Sequence, residues 1–478
     1  MNAPSDLRRR WLALIVLCLG VLMIVLDTTI VNVALPSIRD DLHFTETSLV
    51  WVVNAYLLPY AGFLLLAGRL GDLYGHRRLF LIGLAVFTVA SIGCGLAHSQ
   101  VLLIAARAIQ GLGGAVVGSV ALSLITTLFP EPGDRAKAMG IYGFVCAGGG
   151  SIGVLLGGIL TSALSWHWIF LVNLPLGIAV TLLCLVLLPP TPSLTEKPRL
   201  DIAGAITVTA SLMLAVYLII DGNRAGWISP QSILLLLAAI SLLVLFLFIE
   251  SRIANPLVPL RMFRLRNVVT ANLVGMMWAS AMFAWFFISA LYLQTILGYH
   301  PLQVGLAYIP TNVIMALFSI GLSARLVMHF GIRIPLIAGL LMIACGLTLF
   351  ARAPVSGTYL ANVFPSMLLL GLGAGIALNP VLLAAMSDVD QHEAGLASGI
   401  VNTAFMMGGA LGLATLASLA SARTQALSST GMNHIGALNK GYQIAFALGA
   451  VFAFMAAATA ALFLRLGKGV VLAAPRNQ

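Results

Sequence analysis

Asp27 sits in the stretch LDTTIVNVALP, residues 26–36, inside an apolar run from Trp11 to Pro36. A carboxyl group can hold or release a proton. Placed in hydrocarbon it costs about 2.5–3.5 kcal/mol on insertion scales, so an ionisable group at that depth is a functional candidate by default. The other acidic residues fall in loops, in turns or at the ends of apolar runs, and the only basic residue comparably deep is Arg107, in AARAIQGLGGA. Burial favours the neutral acid, whereas a nearby guanidinium favours the charged one. An acid poised between these influences loads and releases a proton near neutral pH. The chemistry open to Asp27 is therefore proton carriage, tuned by Arg107. The alternative is a fixed structural ion pair or hydrogen-bond anchor, and sequence separation leaves open whether the two residues meet.

Other polar groups lie within apolar runs. Asn32, Asn54, Tyr56, Gln110, Tyr292, Gln294 and Asn402 could bind a substrate, and Trp285 could offer it an aromatic face. Such a face attracts a cationic compound through its π-electrons. The competing role for each aromatic ring is packing or lipid contact. The turn GRLGDLYGHRR, residues 68–78, has another logic. Gly68, Gly71 and Gly75 permit a tight connection, Arg69, Arg77 and Arg78 hold it on one side of a membrane, and Asp72 could pair with these arginines or with a helix N-terminus. Contacts of that kind would act as a conformational switch, against the ordinary role of a basic membrane-flanking loop.

The elements that must position these residues are membrane helices. The chain has 478 residues, of which 60% are hydrophobic and only 8% charged, against about 25% charged in a soluble globular chain. Runs of about 18 or more apolar residues read as transmembrane helices. About fourteen are expected, at 11–36, 48–68, 79–97, 101–128, 138–163, 168–189, 201–220, 231–249, 268–294, 302–326, 334–351, 358–384, 395–420 and 441–466. The net charge of +10 could suggest nucleic acid, but most of the basic residues fall on one side of this topology. That is the positive-inside pattern, with both termini in the cytoplasm, and no nucleic-acid partner is expected. Arg8–Arg10 before an apolar run resembles a signal peptide. Asp27 within that run, and the many spans after it, favour an uncleaved first helix. The five cysteines, Cys18, Cys94, Cys146, Cys184 and Cys345, show neither metal-ligand nor paired spacing and read as packing residues. Trp166, Trp168 and Trp227, near loop ends, fit an interfacial belt.

The chain repeats itself. Aligning Gly75 with Gly331 sets GRLGDLYGHRR against ARLVMHFGIR, matching Arg69 to Arg325 and Arg77 to Arg333, while Asp72 falls opposite Met328. Gly149, Gly153 and Gly157 are spaced four apart. Gly395 and Gly399, then Gly408 and Gly412, echo them. Small residues at that spacing line one helix face and let backbones approach closely. Two parallel six-helix bundles are expected, residues 1–190 and 267–478, with a linker and two extra central helices in 191–266. Parallel repeats of this kind are a transporter architecture.

LDTTIVNVALP, LAGRLGDLYGHRR, ARAIQGLGGA, WHWIFLVNLPLG (166–177), YLQTILGYHPLQVGLAYIP (292–310) and GLASGIVNTAFMMGGALG (395–412) together resemble the fourteen-span drug:proton antiporters of the major facilitator superfamily, over nearly the whole chain. The resemblance implies an all-α integral membrane fold of the major facilitator type, alternating access, a central cavity and proton-driven export of amphipathic compounds. Its motifs carry over to Asp27 and Asn32; to Gly68, Arg69, Asp72, Gly75, Arg77 and Arg78; and to Arg107, Gln110 and Gly111. One motif departs. The fifth-span antiporter motif normally has Gly-Pro before a glycine pair, whereas here Val154 stands in place of the proline and Gly153, Gly157 and Gly158 remain.

The sequence therefore points to a proton-coupled exporter of amphipathic drugs or of cationic or neutral toxic compounds. It would work in the inner (cytoplasmic) membrane, functional as a monomer, with no metal site and no cofactor beyond the proton gradient. One deep acid suits exchange of one proton for a monovalent cation or a neutral amphiphile. The alternative is a dedicated exporter of a single metabolite, antibiotic or lipid. A transport-inactive membrane sensor fits the paired motifs less well, and no nucleophile–base or metal constellation suggests an enzyme.

Overall fold

The computed structural model describes residues 4–188, 201–253, 256–389 and 394–465, and among them secondary structure is entirely helical. Among the described residues thirteen helical segments are long and apolar enough to cross a membrane. The span expected at 302–326 is also present. It runs as a helix over Pro301–Leu317, relaxes into a π turn at Phe318–Leu322 and resumes over Ser323–Phe330, so no single α-helical segment reaches spanning length. π turns also close the helix at Arg266–Leu291, over Tyr292–Ile296, and open the one at Phe364–Met386. Such i→i+5 turns are frequent at functional sites.

Two compact units account for the chain. The first contains Met1–Leu218, Trp227–Leu257 and Tyr299–Leu306. The second contains Ile219–Gly226, Val258–Gly298 and Ala307–Gln478. In the first unit α1 (Pro4–Leu42), α2 (Val50–Tyr74), α3 (His76–Gly95), α4 (Gln100–Leu128), α5 (Pro132–Ala163), the short α6 (Trp168–Leu171) and α7 (Asn173–Leu187) form the bundle. The inserted pair is α8 (Ile202–Ala225) and α9 (Pro230–Arg252). Ser211 ties the pair together by donating to the Ala239 carbonyl at 2.8 Å, and Thr209 fills the space beside Gly62 of α2. Asp201 caps α8 through the Gly204 N–H at 2.7 Å. The second unit is built on α10 (Arg266–Leu291), the part of α11 (Pro301–Leu317) from Ala307 onward, α12 (Ser323–Phe330), α13 (Arg333–Phe350), α14 (Phe364–Met386), α15 (Ala394–Ser429) and α16 (His434–Phe463).

The same internal contacts recur in each unit. A Cβ on Gly113 of α4 would lie 2.6 Å from the Phe87 amide nitrogen of α3, and one on Gly373 of α14 would lie 3.0 Å from the Ile343 amide nitrogen of α13. Gly111 presses on the Tyr56 carbonyl as Gly371 presses on that of Thr311. Gly153 and Gly157 seat α5 on Leu26 and Ile30 of α1; Gly408 and Gly412 seat α15 on Met276 and Ser280 of α10. Glycine is required at these crossings because any side chain would strike backbone. Gly75 and Gly331 both turn the chain with positive φ, at 88° and 74°, a conformation that costs glycine little.

A second recurrence concerns arginine. Arg9 and Arg77 donate to the Val186 and Leu185 carbonyls at the end of α7, at 3.1 and 2.7 Å. Arg266 donates to the Phe463 carbonyl at 2.8 Å, and Arg333 to that of Ala461, at the end of α16. The last carbonyls of a helix lack intrahelical partners, and a guanidinium both bonds them and complements the helix dipole.

Two expectations need correction. Trp166 is buried rather than interfacial. Its indole N–H donates to Asp41 at 2.9 Å and its ring stacks on His167 at 3.8 Å, so one face and the donor are covered by protein. Burial pushes the His167 imidazole below its ordinary value, against the opposing pull of the Asp41 carboxylate. Cys18, Cys94 and Cys184 are buried as packing residues, but Cys345 is exposed. It lies on an apolar helix face, where a thiol needs no protein partner.

Candidate functional site

Asp27 and Arg107 meet in the middle of the first unit. Asp27 is 0% exposed and Arg107 1%. Arg107 Nη1 lies 2.5 Å from Asp27 Oδ2 and 2.6 Å from Gln110 Oε1. Its Nε donates to the Val52 carbonyl of α2 at 2.9 Å. The guanidinium lies over the rings of Tyr56 and Phe170, at 4.5 and 5.5 Å. Gln110 Nε2 donates to the other carboxylate oxygen, Asp27 Oδ1, at 2.7 Å and to Ser91 Oγ at 2.8 Å. Asn173, on the first turn of α7, donates to the same hydroxyl at 3.4 Å. Cys94 donates to Gln110 Oε1 at 3.6 Å.

The local sequence explains why five helices converge here. Arg107 and Gln110 are three residues apart on α4 and share a face. The glycines that follow, Gly111 and Gly113, bring α2 and α3 close enough for that face to reach Val52 and Ser91. Gly153 and Gly157 hold α5 on the side of α1. A buried ion pair repays its desolvation only when its remaining donors and acceptors are bonded. Both oxygens of Asp27 have donors. Those donors suit the carboxylate; neither Arg107 nor Gln110 Nε2 can accept a proton from the neutral acid. In this arrangement a protonated Asp27 would find no acceptor for its O–H in the two groups that bond it.

The remaining candidates divide between the units. Asn32 donates back to the Thr28 and Thr29 carbonyls of its own helix, at 3.2 and 3.4 Å. Asn54 is fully buried. Tyr56 and Gln110, expected beside a substrate, are part of the Asp27 network. In the second unit Trp285 is 1% exposed and packs on Phe286 and Tyr308, at 4.3 and 5.8 Å. Tyr292 and Gln294 fall on the π turn that ends α10, and Tyr292 Oη donates to the Pro354 carbonyl at 2.8 Å. Asn402 is half-buried on α15.

Among the expected switch residues, Arg69 donates to the Pro256 carbonyl, Arg77 caps α7, and Arg78 is exposed. The side chain of Asp72 lies outside the described residues. Gly68 has open space, its nearest neighbour being Ser119 at 4.0 Å. Gly158 and Val154 meet the start of α11: a Cβ on Gly158 would lie 2.7 Å from the Pro301 carbonyl, and Gly305 approaches the Val154 carbonyl.

Ser91 and Asn173 escaped the reading of the sequence. Serine is common inside membrane helices and Asn173 lies at the head of a span, so neither carries a local signal. The packing correspondence between the units adds an asymmetry. Positions equivalent to Asp27, Ser91, Arg107 and Gln110 hold Met277, Leu347, Met367 and Leu370 in the second unit. The charged network belongs to the first unit alone.

A bundle of this repeat, with one charged centre buried among its helices, defines a membrane transporter. The description "Major Facilitator Superfamily" matches residues 17–413. The chain is 38% identical over 420 residues to the puromycin resistance protein pur8 of Streptomyces alboniger, covering 87% of this chain and 83% of that one. It is 38% identical over 427 residues to the cephamycin export protein CmcT of Amycolatopsis lactamdurans, covering 89% and 88%. It is 33% identical over 424 residues to the tetracenomycin C resistance and export protein of Streptomyces glaucescens, covering 88% and 78%. Among solved structures, the nucleoside transporter NupG superposes with a TM-score of 0.66 at 12% identity, covering 94% of this chain and 99% of that one. The xylose transporter XylE from E. coli superposes with a TM-score of 0.64 at 16% identity, covering 96% and 97%. These two show the fold. The chain belongs to the Major Facilitator Superfamily. It is a multi-pass efflux transporter and not an enzyme.

Proposed function

We propose that this efflux transporter exports amphipathic small molecules, drug-like or antibiotic, in exchange for protons, with Asp27 as the proton carrier. The observation that carries the reading is the Asp27–Arg107 pair, fully buried and held by donors that favour the carboxylate. Open to the side of high proton activity, Asp27 takes up a proton and Arg107 loses its partner. Open to the cytoplasm, Asp27 releases the proton as substrate binds. The turn at 68–78 and the close-packed glycines Gly153, Gly157 and Gly158 accommodate the alternation. The proton gradient supplies the energy without a cofactor, the transporter works as a monomer in the cytoplasmic membrane, and both termini face the cytoplasm. Asn32, Asn54, Tyr56, Trp285, Tyr292, Gln294 and Asn402 are the polar and aromatic groups open to substrate contact in this reading.

The printed names of two relatives, an exporter of cephamycin and one of tetracenomycin C, favour a second reading, in which one antibiotic or metabolite is the natural cargo. Growth inhibition by a panel of unrelated dyes and antibiotics separates the two: protection against several chemical classes supports the broad pump, and protection against one supports the dedicated exporter. The test of the coupling is Asp27→Asn. This variant inserts normally, and its proton-driven ethidium efflux is lost. Unchanged efflux overturns the role given to Asp27.

A further inference from the structure

Gln110 has two faces, and which one meets Asp27 decides which form of the acid is stabilised. An amide N–H turned to Asp27 bonds the carboxylate; an amide oxygen turned to it would accept the proton of the neutral acid. The bonds around Ser91 settle the choice. The Ser91 hydroxyl donates to the Phe87 carbonyl of its own helix at 2.8 Å. It then has only lone pairs left, and these receive Gln110 Nε2 at 2.8 Å and Asn173 Nδ2 at 3.4 Å. Ser91 is fully buried. The nitrogen side of the Gln110 amide is pinned between Ser91 and Asp27, and its oxygen side receives Arg107. When Asp27 becomes neutral the pull of the carboxylate is gone, and Ser91 on the nitrogen side and Arg107 on the oxygen side still resist rotation of the amide.

We infer that Ser91 is a positioning residue that sets the proton affinity of Asp27 by fixing the orientation of the Gln110 amide. The inference rests on the proton-carrier reading of Asp27. The titratable groups that feel Asp27 are Arg107 from α4, Tyr56 from α2 and Cys94 from α3. From α5, Tyr142 and Cys146 act on each other and on Cys18 of α1 and Tyr60 of α2. From α6 and α7 the facing side chains are Phe170 and Asn173, neither of which titrates. No other acid among the described residues shares the network, so a change at Ser91 reads out on Asp27 through one intermediary. With Ser91 gone only the contacts to the amide oxygen, from Arg107 and Cys94, oppose the turn, so on protonation the amide turns more readily, accepts the acid's O–H and stabilises the neutral form. Asp27 then holds its proton to higher pH.

The experiment is a pH titration of the infrared carboxyl band of the purified full-length protein, assigned by its loss in Asp27→Asn. Ser91→Ala moves the midpoint up by about one pH unit, a tenfold gain in proton affinity. Ser91→Cys is nearly isosteric and a poor acceptor, and it moves the midpoint the same way; it carries the test should the alanine variant not fold. Ser91→Thr keeps the hydroxyl and stays near wild type; Thr88, one turn earlier, already makes the same bond to its helix. Thr88→Ala loses an intrahelical bond of the same kind outside the network and leaves the midpoint in place. In a Gln110→Leu background Ser91→Ala adds no further shift. A midpoint unmoved by Ser91→Ala or Ser91→Cys overturns the inference and leaves Asp27 as carrier, as does a shift that persists without Gln110. A wild-type Asp27 that never titrates overturns both.

Discussion

At the scale of single residues, Arg107 carries more of the site than its charge. Its guanidinium bonds Val52, Asp27 and Gln110 at once. Arg107→Leu leaves a buried carboxylate without its cation, at a cost of about 3–5 kcal/mol. Thermal unfolding in detergent should show that loss, and the double change Asp27→Asn with Arg107→Leu should recover part of it because no charge is then stranded. Arg107→Lys is not a conservative replacement, since a single ammonium cannot reproduce the fork. The charged members of this site were legible in the sequence because hydrocarbon makes them conspicuous: one deep acid and one deep base in a chain that is 8% charged. Ser91 and Asn173 were not. A hydroxyl or amide inside a membrane helix is unremarkable by type, and only the packing of α3, α4 and α7 shows that Asn173 and Gln110 both donate to the Ser91 hydroxyl.

At the scale of helices, the glycines set how closely neighbours approach. Gly113 meets the backbone of α3, with 2.6 Å from its would-be Cβ to the Phe87 nitrogen, while Gly143 of α5 has nothing within 4 Å. Gly113→Val forces α3 and α4 apart and destabilises by about 1–3 kcal/mol or more, as overpacking does; Gly143→Val leaves stability unchanged within about 0.5 kcal/mol. Melting of the two variants side by side, with size-exclusion profiles, checks the contrast. Four-residue glycine spacing made the close-packing faces of α5 and α15 readable in advance, though not that α1 and α10 would cover them. The crossings of α3 with α4 and of α13 with α14 were not legible, because the glycines that set them, Gly83 with Gly113 and Gly339 with Gly373, face one another from two different helices. The π turn at Phe318–Leu322 had no sequence signature either: apolar periodicity runs through it, and only the backbone bonding changes. Trp166 shows the same limit, as its partner Asp41 comes from the far end of α1.

At the scale of the whole molecule, a single proton carrier constrains the electrical balance of transport. Exchange of one proton for a monovalent cation moves no net charge, whereas exchange for a neutral compound moves one, worth about 2.3 kcal/mol per 100 mV. Collapsing the membrane potential of proteoliposomes at fixed pH gradient should therefore leave efflux of a monovalent cationic dye unchanged and slow efflux of a neutral one. A dye response equal to that of the neutral compound would mean more than one charge carrier. The repeat of the two units was legible in ARLVMHFGIR and the glycine stripes. Its asymmetry was visible at Asp72 opposite Met328, but the loss of the whole polar network from the second unit needed the helix contacts to establish which residues correspond.

Substrate-induced proton release by the purified protein, wild type beside Asp27→Asn, reports on the exchange itself. In weakly buffered detergent near neutral pH, addition of a bound substrate should release on the order of one proton per wild-type molecule and none from Asp27→Asn. Equal release from the two proteins, or substrate binding by wild type with no proton released at any pH from 5 to 9, would contradict proton exchange at Asp27.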